Sequence, residues 1–248
     1  MNKMRIILMI LLLAQVAFGT IRYVSKTGSS TPPYLTWETA SDSIQKCINI
    51  CDDGDTIIVA NGVYKEVILI NRDLSLLGSG MDSCVIDGTG LDTLSRFTIT
   101  VQSPFKINGF TIFAPKFQGG RRCLLVWSYN AEVSNCKLLI GGLESSFNTN
   151  LTARNIIIKN HPAFGIYAHC EYLTVENCVI LSSNDNVSKA GILTDSKNAL
   201  ITNNILISER PGNNYSQGDG IELEGVKRAY LHNNIVANYN DNINVYCV

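Results

Sequence analysis

The sequence has 248 residues, of which 46% are hydrophobic and 17% are charged, and its formal net charge is −1. A nearly neutral chain lacks the basic surface that nucleic-acid binding requires, so nucleic acid is excluded as a partner. The length is sufficient for one large domain with its own hydrophobic core.

Residues 1–19 are predicted to be a secretory signal peptide. Lys3 and Arg5 precede an unbroken apolar run over residues 6–13, and Ala17-Phe18-Gly19 is typical of a cleavage site. The run is shorter than the ~20 residues that cross a bilayer, so we do not expect a membrane-spanning protein. The prediction is a secreted, extracellular protein that is cleaved near Gly19.

Residues 20–54 are predicted to form an N-terminal strand and a capping α-helix, with Thr36 as the helix N-cap. Such a helix would cover the exposed end of the structure that follows. Apolar residues at helical spacing predict its buried face: Ala40, Ile44, Cys47, Ile48 and Cys51.

A short pattern recurs between residue 55 and residue 248. Its positions are, in order, an apolar residue, any residue, Asn, any two residues and a second apolar residue. The steps between successive copies are irregular, which excludes a solenoid of fixed period. Asn suits a turn because it tolerates the left-handed conformation and can hydrogen-bond to the Asn of the next copy. The slots, with Gly in the first, are Gly109, Asn135, Asn155, Asn177, Asn203 and Asn233.

A second element precedes three of these slots. It reads Gly165-Ile166, Gly191-Ile192 and Gly220-Ile221, and the spacing from the Ile to the following Asn is nearly the same in all three copies. Constant strands joined by one loop of variable length predict an all-β fold, a right-handed parallel β-helix whose coils bury their apolar residues by stacking. The segment 242–246 resembles the opening strand of another coil, so either a partner covers this end or further coils follow Val248. We favour further coils, and we expect a monomer.

Eight cysteines in an exported chain suggest disulfides. Cys136 and Cys178, however, occupy the same slot of the repeat, and Cys123 falls at an inward strand position. We therefore favour free cysteines that pack as small apolar residues.

Several segments resemble the pectin-lyase-like β-helix family. The opening segment is similar at 23–25, 37–40 and 54–66, and the similarity continues at 74–78 and 85–88. The resemblance implies the fold over nearly the whole chain. It implies less about activity, because the family includes lyases, hydrolases, esterases and catalytically silent proteins. The motifs that characterise its hydrolases, esterases and pectate lyases are absent from this sequence.

Alternation along the Gly-Ile strands predicts a candidate site on their outward side. One predicted column contains His169, Asp195, Glu224 and Tyr246, and the column beside it contains Tyr167, Leu193, Glu222 and Asn244. Neighbouring carboxylates in such columns could act on a glycan or hold Ca²⁺, the one ion that the sequence suggests. The candidate catalytic residues are Asp195, Glu222 and Glu224, and the candidate ligand-binding residues are Tyr167, His169 and Tyr246.

Two functions fit this face. The interpretation that the sequence favours is a secreted, non-catalytic module that presents an elongated surface to polysaccharide or a cell-surface partner, its outward charges being ordinary solvated residues. The alternative is a polysaccharide lyase or glycoside hydrolase that acts on acidic glycans through Asp195, Glu222 and Glu224.

Overall fold

The computed structural model describes residues 19–91, 96–115, 122–182, 190–208 and 218–246, with the side chains of 147–149 left aside. The predicted signal peptide lies outside these residues except for Gly19, and so does Cys247. Both the leader and the state of Cys247 therefore stay predictions. Among the described residues no helix is long and apolar enough to cross a membrane.

The described strands, in chain order, begin with β1 (Ile21–Val24), β2 (Asp55–Val59), β3 (Gly62–Tyr64), β4 (Ile68–Ile70), β5 (Leu74–Gly78), β6 (Cys84–Asp87), β7 (Phe97–Val101), β8 (Phe105–Asn108), β9 (Thr111–Phe113), β10 (Arg122–Val126), β11 (Asn130–Ser134) and β12 (Lys137–Leu139). They continue with β13 (Gly142–Arg154), β14 (Ile157–His161), β15 (Phe164–Glu176), β16 (Val179–Ser182), β17 (Ala190–Thr194), β18 (Asn198–Thr202), β19 (Ile205–Ser208), β20 (Asp219–Glu224), β21 (Arg228–His232), β22 (Ile235–Ala237) and β23 (Ile243–Tyr246). The helix α1 (Ile44–Ile48) lies between β1 and β2.

The paired strands run parallel and form three sides of a coil. The first side, here called the Gly-Ile face, contains β4, β7, β10, the first part of β13, the first part of β15, β17, β20 and β23. The second face contains β1, β2, β5, β8, β11, the later parts of β13 and β15, β18 and β21. The third is a separate sheet of β3, β6, β9, β12, β14, β16, β19 and β22. The predicted parallel β-helix is confirmed.

The core is the central stack of inward side chains. On the Gly-Ile face, Leu143, Ile166, Ile192 and Ile221 follow one another in register and are fully buried. Each coil lies one strand spacing, about 4.8 Å, from the next, so the inward residues of the central coils are covered from above and below. Burial of one such side chain contributes roughly 1.5–3 kcal/mol, and neither coil could bury it alone.

The asparagine slots form turns between the second and third faces, as predicted. Every slot has a positive φ, from 51° at Asn135 to 83° at Gly109. Asn155 Nδ2 donates to Asn135 Oδ1 over 3.1 Å, and Asn233 Nδ2 donates to Asn203 Oδ1 over 3.2 Å. The strand residues before the slots are paired from coil to coil, so the slots lie one above another.

The N-terminal helix is shorter than the sequence predicts, and its N-cap is Ser43. Thr36 as N-cap is wrong, because Thr36 hydrogen-bonds with Thr39 in a turn that precedes the helix. The carboxylate of Glu66 instead accepts from the hydroxyl of Ser43 and from the amides of Ile44 and Gln45, at 2.8–3.0 Å. Negative charge at a helix N-terminus is favourable, and it fixes where α1 begins.

The same end of the molecule holds a buried ion pair. Arg22 Nε lies 2.9 Å from Asp55 Oδ2, and the two side chains are 8% and 3% exposed. Asp55 also accepts from the amides of Thr20 and Asp52. This pair ties β1 to the first coil beneath α1.

Seven cysteines lie in the described part of the chain, and all seven are buried free thiols. Burial raises the pKa of the Cys136 thiol to about 12 and that of Cys178 to about 11. The prediction that they pack as small apolar residues is confirmed for these seven.

Candidate functional site

Each Gly-Ile strand has glycine at its second position because that position is crowded. A Cβ at Gly165 would lie 2.5 Å from the Ile180 side chain, and one at Gly191 would lie 2.9 Å from the hydroxyl of Tyr239. The same Cβ atoms would also come within 2.7 Å of a backbone oxygen of the next coil. The motif that marks these strands is therefore a packing requirement at the corner where the third face turns into the Gly-Ile face.

The strand register places the two predicted columns on this face. Tyr167 pairs with Leu193, Leu193 with Glu222, and Glu222 with Asn244. Ala168 pairs with Thr194 and Thr194 with Leu223, so the residues that follow them also align. These residues are His169, Asp195 and Glu224, and Glu224 pairs with Tyr246.

The centre of the site is a hydrogen bond between side chains of two neighbouring coils. His169 Nδ1 lies 2.6 Å from Asp195 Oδ2, and the side chains are 41% and 29% exposed. The other carboxylate oxygen, Asp195 Oδ1, is buried without a hydrogen-bond partner. A carboxylate in this position orients the imidazole and fixes its tautomer, which is how histidine bases are prepared for proton transfer.

Buried polar groups hold the backbone on both sides of this pair. Thr194 Oγ1 donates to the carbonyl oxygen of Ala168 over 2.8 Å and lies 2.7 Å from Ser196 Oγ. Ser196 Oγ also accepts from the amide of Cys170 over 3.2 Å. These four residues flank Asp195 and His169 in the chain, so the network fixes the spacing of the two functional side chains.

Tyr167 lies beside the pair and is half-buried. Burial raises the pKa of its hydroxyl, and the negative charges of Asp195, Glu144 and Glu224 raise it further. The ring stacks on Phe164 with 5.4 Å between the centroids. Tyr167 therefore stays protonated at neutral pH, in the middle of a group of carboxylates.

The remaining predicted residues lie on the same face, with different exposure. Glu222 is half-buried, whereas Glu224 and Tyr246 are exposed. Leu193, which the alternation places toward solvent, is only 8% exposed, so it acts as part of the floor of the site. Within the described residues no group of three or more His, Cys, Asp or Glu side chains could hold a metal ion.

A groove on the same face escapes sequence reasoning. It has a volume of about 460 Å³ and lies two coils before His169. Trp127 follows Val126, which is in register with Ser145 and hence with Ala168, so Trp127 and His169 belong to one column. The strand that precedes Trp127, β10, reads Arg-Cys-Leu-Leu-Val and lacks the Gly-Ile motif, so the repeat pattern does not predict the groove. The groove is lined by Arg96, Phe97, Leu125, Trp127, Glu144 and Ser146.

Charge and aromatic side chains together characterise this groove. Trp127 is 52% exposed. Arg122 Nε lies 3.0 Å from Glu144 Oε2, and the guanidinium lies 5.7 Å from the centroid of Phe164. The cations of Arg96 and Arg122 thus adjoin the carboxylates on one continuous outward surface.

No family model matches the chain, and no curated protein matches it in sequence. Solved structures do match. A pectin methylesterase in complex with a hexasaccharide has a TM-score of 0.59 at 18% identity, over 85% of this chain and 80% of the other. The pectin methylesterase of Aspergillus niger has a TM-score of 0.55 at 15% identity, over 92% and 84%. A PL6 family alginate lyase has a TM-score of 0.63 at 13% identity, over 94% of this chain and 38% of the lyase.

These similarities establish the fold. The chain is a right-handed parallel β-helix of the pectin-lyase-like type. The resemblance that the opening segments indicate and the predicted fold class are therefore confirmed.

Proposed function

We propose that the protein is a polysaccharide-active enzyme whose substrate lies along the Gly-Ile face, with His169 and Asp195 at its centre. The observation that carries the proposal is the 2.6 Å contact between the two side chains, held in place by a buried polar network. The solved structures that share the fold over most of the chain are described as acting on pectin or alginate. This supports the enzymatic alternative more than the non-catalytic module.

The arrangement favours a lyase over a hydrolase. A retaining hydrolase uses two carboxyl groups as nucleophile and acid, whereas the central contact of this face joins one carboxylate, Asp195, to an imidazole, His169. An elimination needs one base and one acid. The imidazole, oriented by Asp195, would take the proton next to the carboxyl group of a uronate, and the electron pair of that carbon–hydrogen bond would form a carbon–carbon double bond.

Tyr167 would supply the acid in the same reaction. The glycosidic carbon–oxygen bond breaks as the double bond forms, and the phenol donates its proton to the leaving oxygen. The raised pKa keeps the phenol protonated at neutral pH, as this role requires. Arg96, which lines the groove, would bind a uronate carboxylate, and the ion pair with Arg122 offsets the repulsion from Glu144.

The non-catalytic module is the second candidate. Glu224 and Tyr246 are exposed, as ordinary solvated residues are, and the carboxylates of this face repel a polyanion. In either case we propose that the protein is secreted. N-terminal sequencing of the exported protein would test this, with Thr20 as the expected first residue.

The decisive test is the analysis of products from a panel of polygalacturonate, methylesterified pectin and alginate. Absorbance of unsaturated ends reports a lyase, new reducing ends without unsaturation report a hydrolase, and released methanol reports an esterase. We expect unsaturated ends from at least one acidic glycan, and a loss of roughly 10²–10⁴-fold in His169→Ala. Lys106→Ala, an exposed change on the second face, is the matched control.

Two outcomes would overturn the proposal. One is the absence of all three products across the panel with a correctly folded wild-type protein. The other is a His169→Ala variant as active as the wild type.

A further inference from the structure

The second face carries an apolar surface near its C-terminal end. Tyr172, Leu200 and Tyr230 are 53%, 42% and 67% exposed. Leu200 pairs directly with Tyr230, and Tyr172 pairs with Asn198, two residues before Leu200. The three side chains therefore lie next to one another on three successive coils, and we call them the tyrosine platform.

The platform is confined to these coils. The column of Leu200 and Tyr230 continues as Thr174 on the coil of Tyr172, and as Thr152 and Glu132 on the two coils before it. The positions in register with Tyr172 are Asn150 and Asn130. An outward sheet surface is polar by default, so the change from polar to aromatic residues along one face points to a binding surface.

The charges that border the platform are mainly positive. Arg228 and Asn198 continue the column of Tyr172 on the next two coils, and Arg228 Nε donates to Asn198 Oδ1 over 2.9 Å. Lys197 and Lys227 lie on the turns that lead into β18 and β21, and both residues are exposed. Glu171, which precedes Tyr172, is already paired with Lys197.

We propose that the tyrosine platform is a second glycan-binding surface, which takes an anionic polysaccharide and is separate from the Gly-Ile face. Exposed tyrosine rings offer flat apolar surfaces on which the CH faces of sugar rings pack, at little cost in conformational entropy. Tyr172 and Tyr230 are two coils apart, roughly 10 Å, so one extended glycan chain can cover both rings. Arg228 and Lys227 supply the charge that a polyanion needs, because the charge of Lys197 is offset by Glu171.

The test measures the affinity of the full chain for polygalacturonate by affinity electrophoresis. Tyr172→Ala and Tyr230→Ala should each raise the dissociation constant by about tenfold. Tyr172→Phe should keep the wild-type affinity because the ring is kept. Arg228→Ala should weaken binding and reduce its dependence on salt. Tyr129→Ala, a change at an equally exposed tyrosine four coils before Tyr230, should bind within about twofold of the wild type.

Measuring both cleavage and retention for each set of variants distinguishes the platform from the proposed active site. Tyr172→Ala and Tyr230→Ala should leave the cleavage of short soluble oligosaccharides unchanged, whereas Asp195→Asn should abolish cleavage and should not remove the tyrosine-dependent part of retention on polygalacturonate. An inactive wild type that is still retained through the tyrosines would support the platform alone.

Three results would overturn the platform. The first is that both tyrosine variants bind polygalacturonate with an affinity within about twofold of the wild type. The second is equally tight binding to uncharged dextran or to an oligonucleotide. The third is a wild-type dimer in sedimentation that the tyrosine changes convert to monomer, because the platform would then be an interface between two copies.

Discussion

Protonation of one buried histidine should make the fold sensitive to mild acid. His161 is fully buried, its Nε2 lies 3.1 Å from Ser182 Oγ, and that hydroxyl lies 2.8 Å from the hydroxyl of Tyr239. The second ring nitrogen, Nδ1, has no partner. A second proton would place a charge and an unsatisfied N–H donor in the core. Burial, with a contribution from the charge of Arg122, lowers the pKa of His161 from 6.5 to about 4.

The sign and size of the effect follow from this depressed pKa. The unfolded chain binds a proton at His161 below pH 6.5, but the folded chain does so only below about pH 4. The unfolded state therefore binds more protons in this window, and the free energy of unfolding falls as the pH falls. One pKa unit corresponds to about 1.4 kcal/mol, so the loss is roughly 3 kcal/mol between pH 6.5 and 4, of which about 2 kcal/mol comes above pH 5.

Urea unfolding between pH 7 and pH 5 measures this slope. His161→Leu should lower stability at pH 7, but its free energy of unfolding should fall less steeply between pH 7 and pH 5, by about 1 kcal/mol per pH unit on average, because the titrating group is gone. His232→Gln, a change at an exposed histidine, is the control and should keep the wild-type slope. Equal slopes for the wild type and His161→Leu would refute the reasoning.

Three further predictions concern the scaffold. Asn177→Ala should cost roughly 1 kcal/mol more in unfolding free energy than Asn177→Gly, because φ is 55°, and equal costs would contradict the turn assignment. Asp55→Ala should lower the free energy of unfolding by roughly 3–5 kcal/mol, because it leaves Arg22 buried without its partner. Asp42→Ala breaks an exposed pair and should lower it by less than about 1 kcal/mol in the same denaturation assay. Cys136 should resist iodoacetamide until the chain unfolds, as peptide mass spectrometry would show. Rapid labelling of the native protein would contradict its burial.

The sequence contains most of what is needed to predict the architecture. Asn in the repeated slots predicts turns in the left-handed conformation, and the irregular spacing of the slots predicts stacked coils with a loop of variable length. The turns at Asn135 and Asn177 could therefore be predicted from the sequence. The N-cap of α1 could not be predicted, because Glu66, which fixes the start of the helix, lies beyond β3 in the sequence. A contact of this kind is visible only once the first coil is folded.

The candidate site was predictable in position but not in contacts. Alternation along the strands placed His169 and Asp195 in one column, yet the 2.6 Å contact depends on rotamers and on the network beneath. The groove around Trp127 lies on a strand without the repeat motif, so no pattern connects it to His169. Burial of Leu193 similarly reflects packing against neighbouring side chains, which strand alternation does not describe.

The most direct test of the account is a crystal structure of His169→Ala, with the base removed, bound to an oligosaccharide of the best substrate in the panel. We expect the sugar chain along the Gly-Ile face, from the groove at Trp127 toward Tyr246, with a uronate ring above Asp195 and Tyr167. Oligosaccharide bound only elsewhere on the β-helix, with the Gly-Ile face empty, would contradict the account.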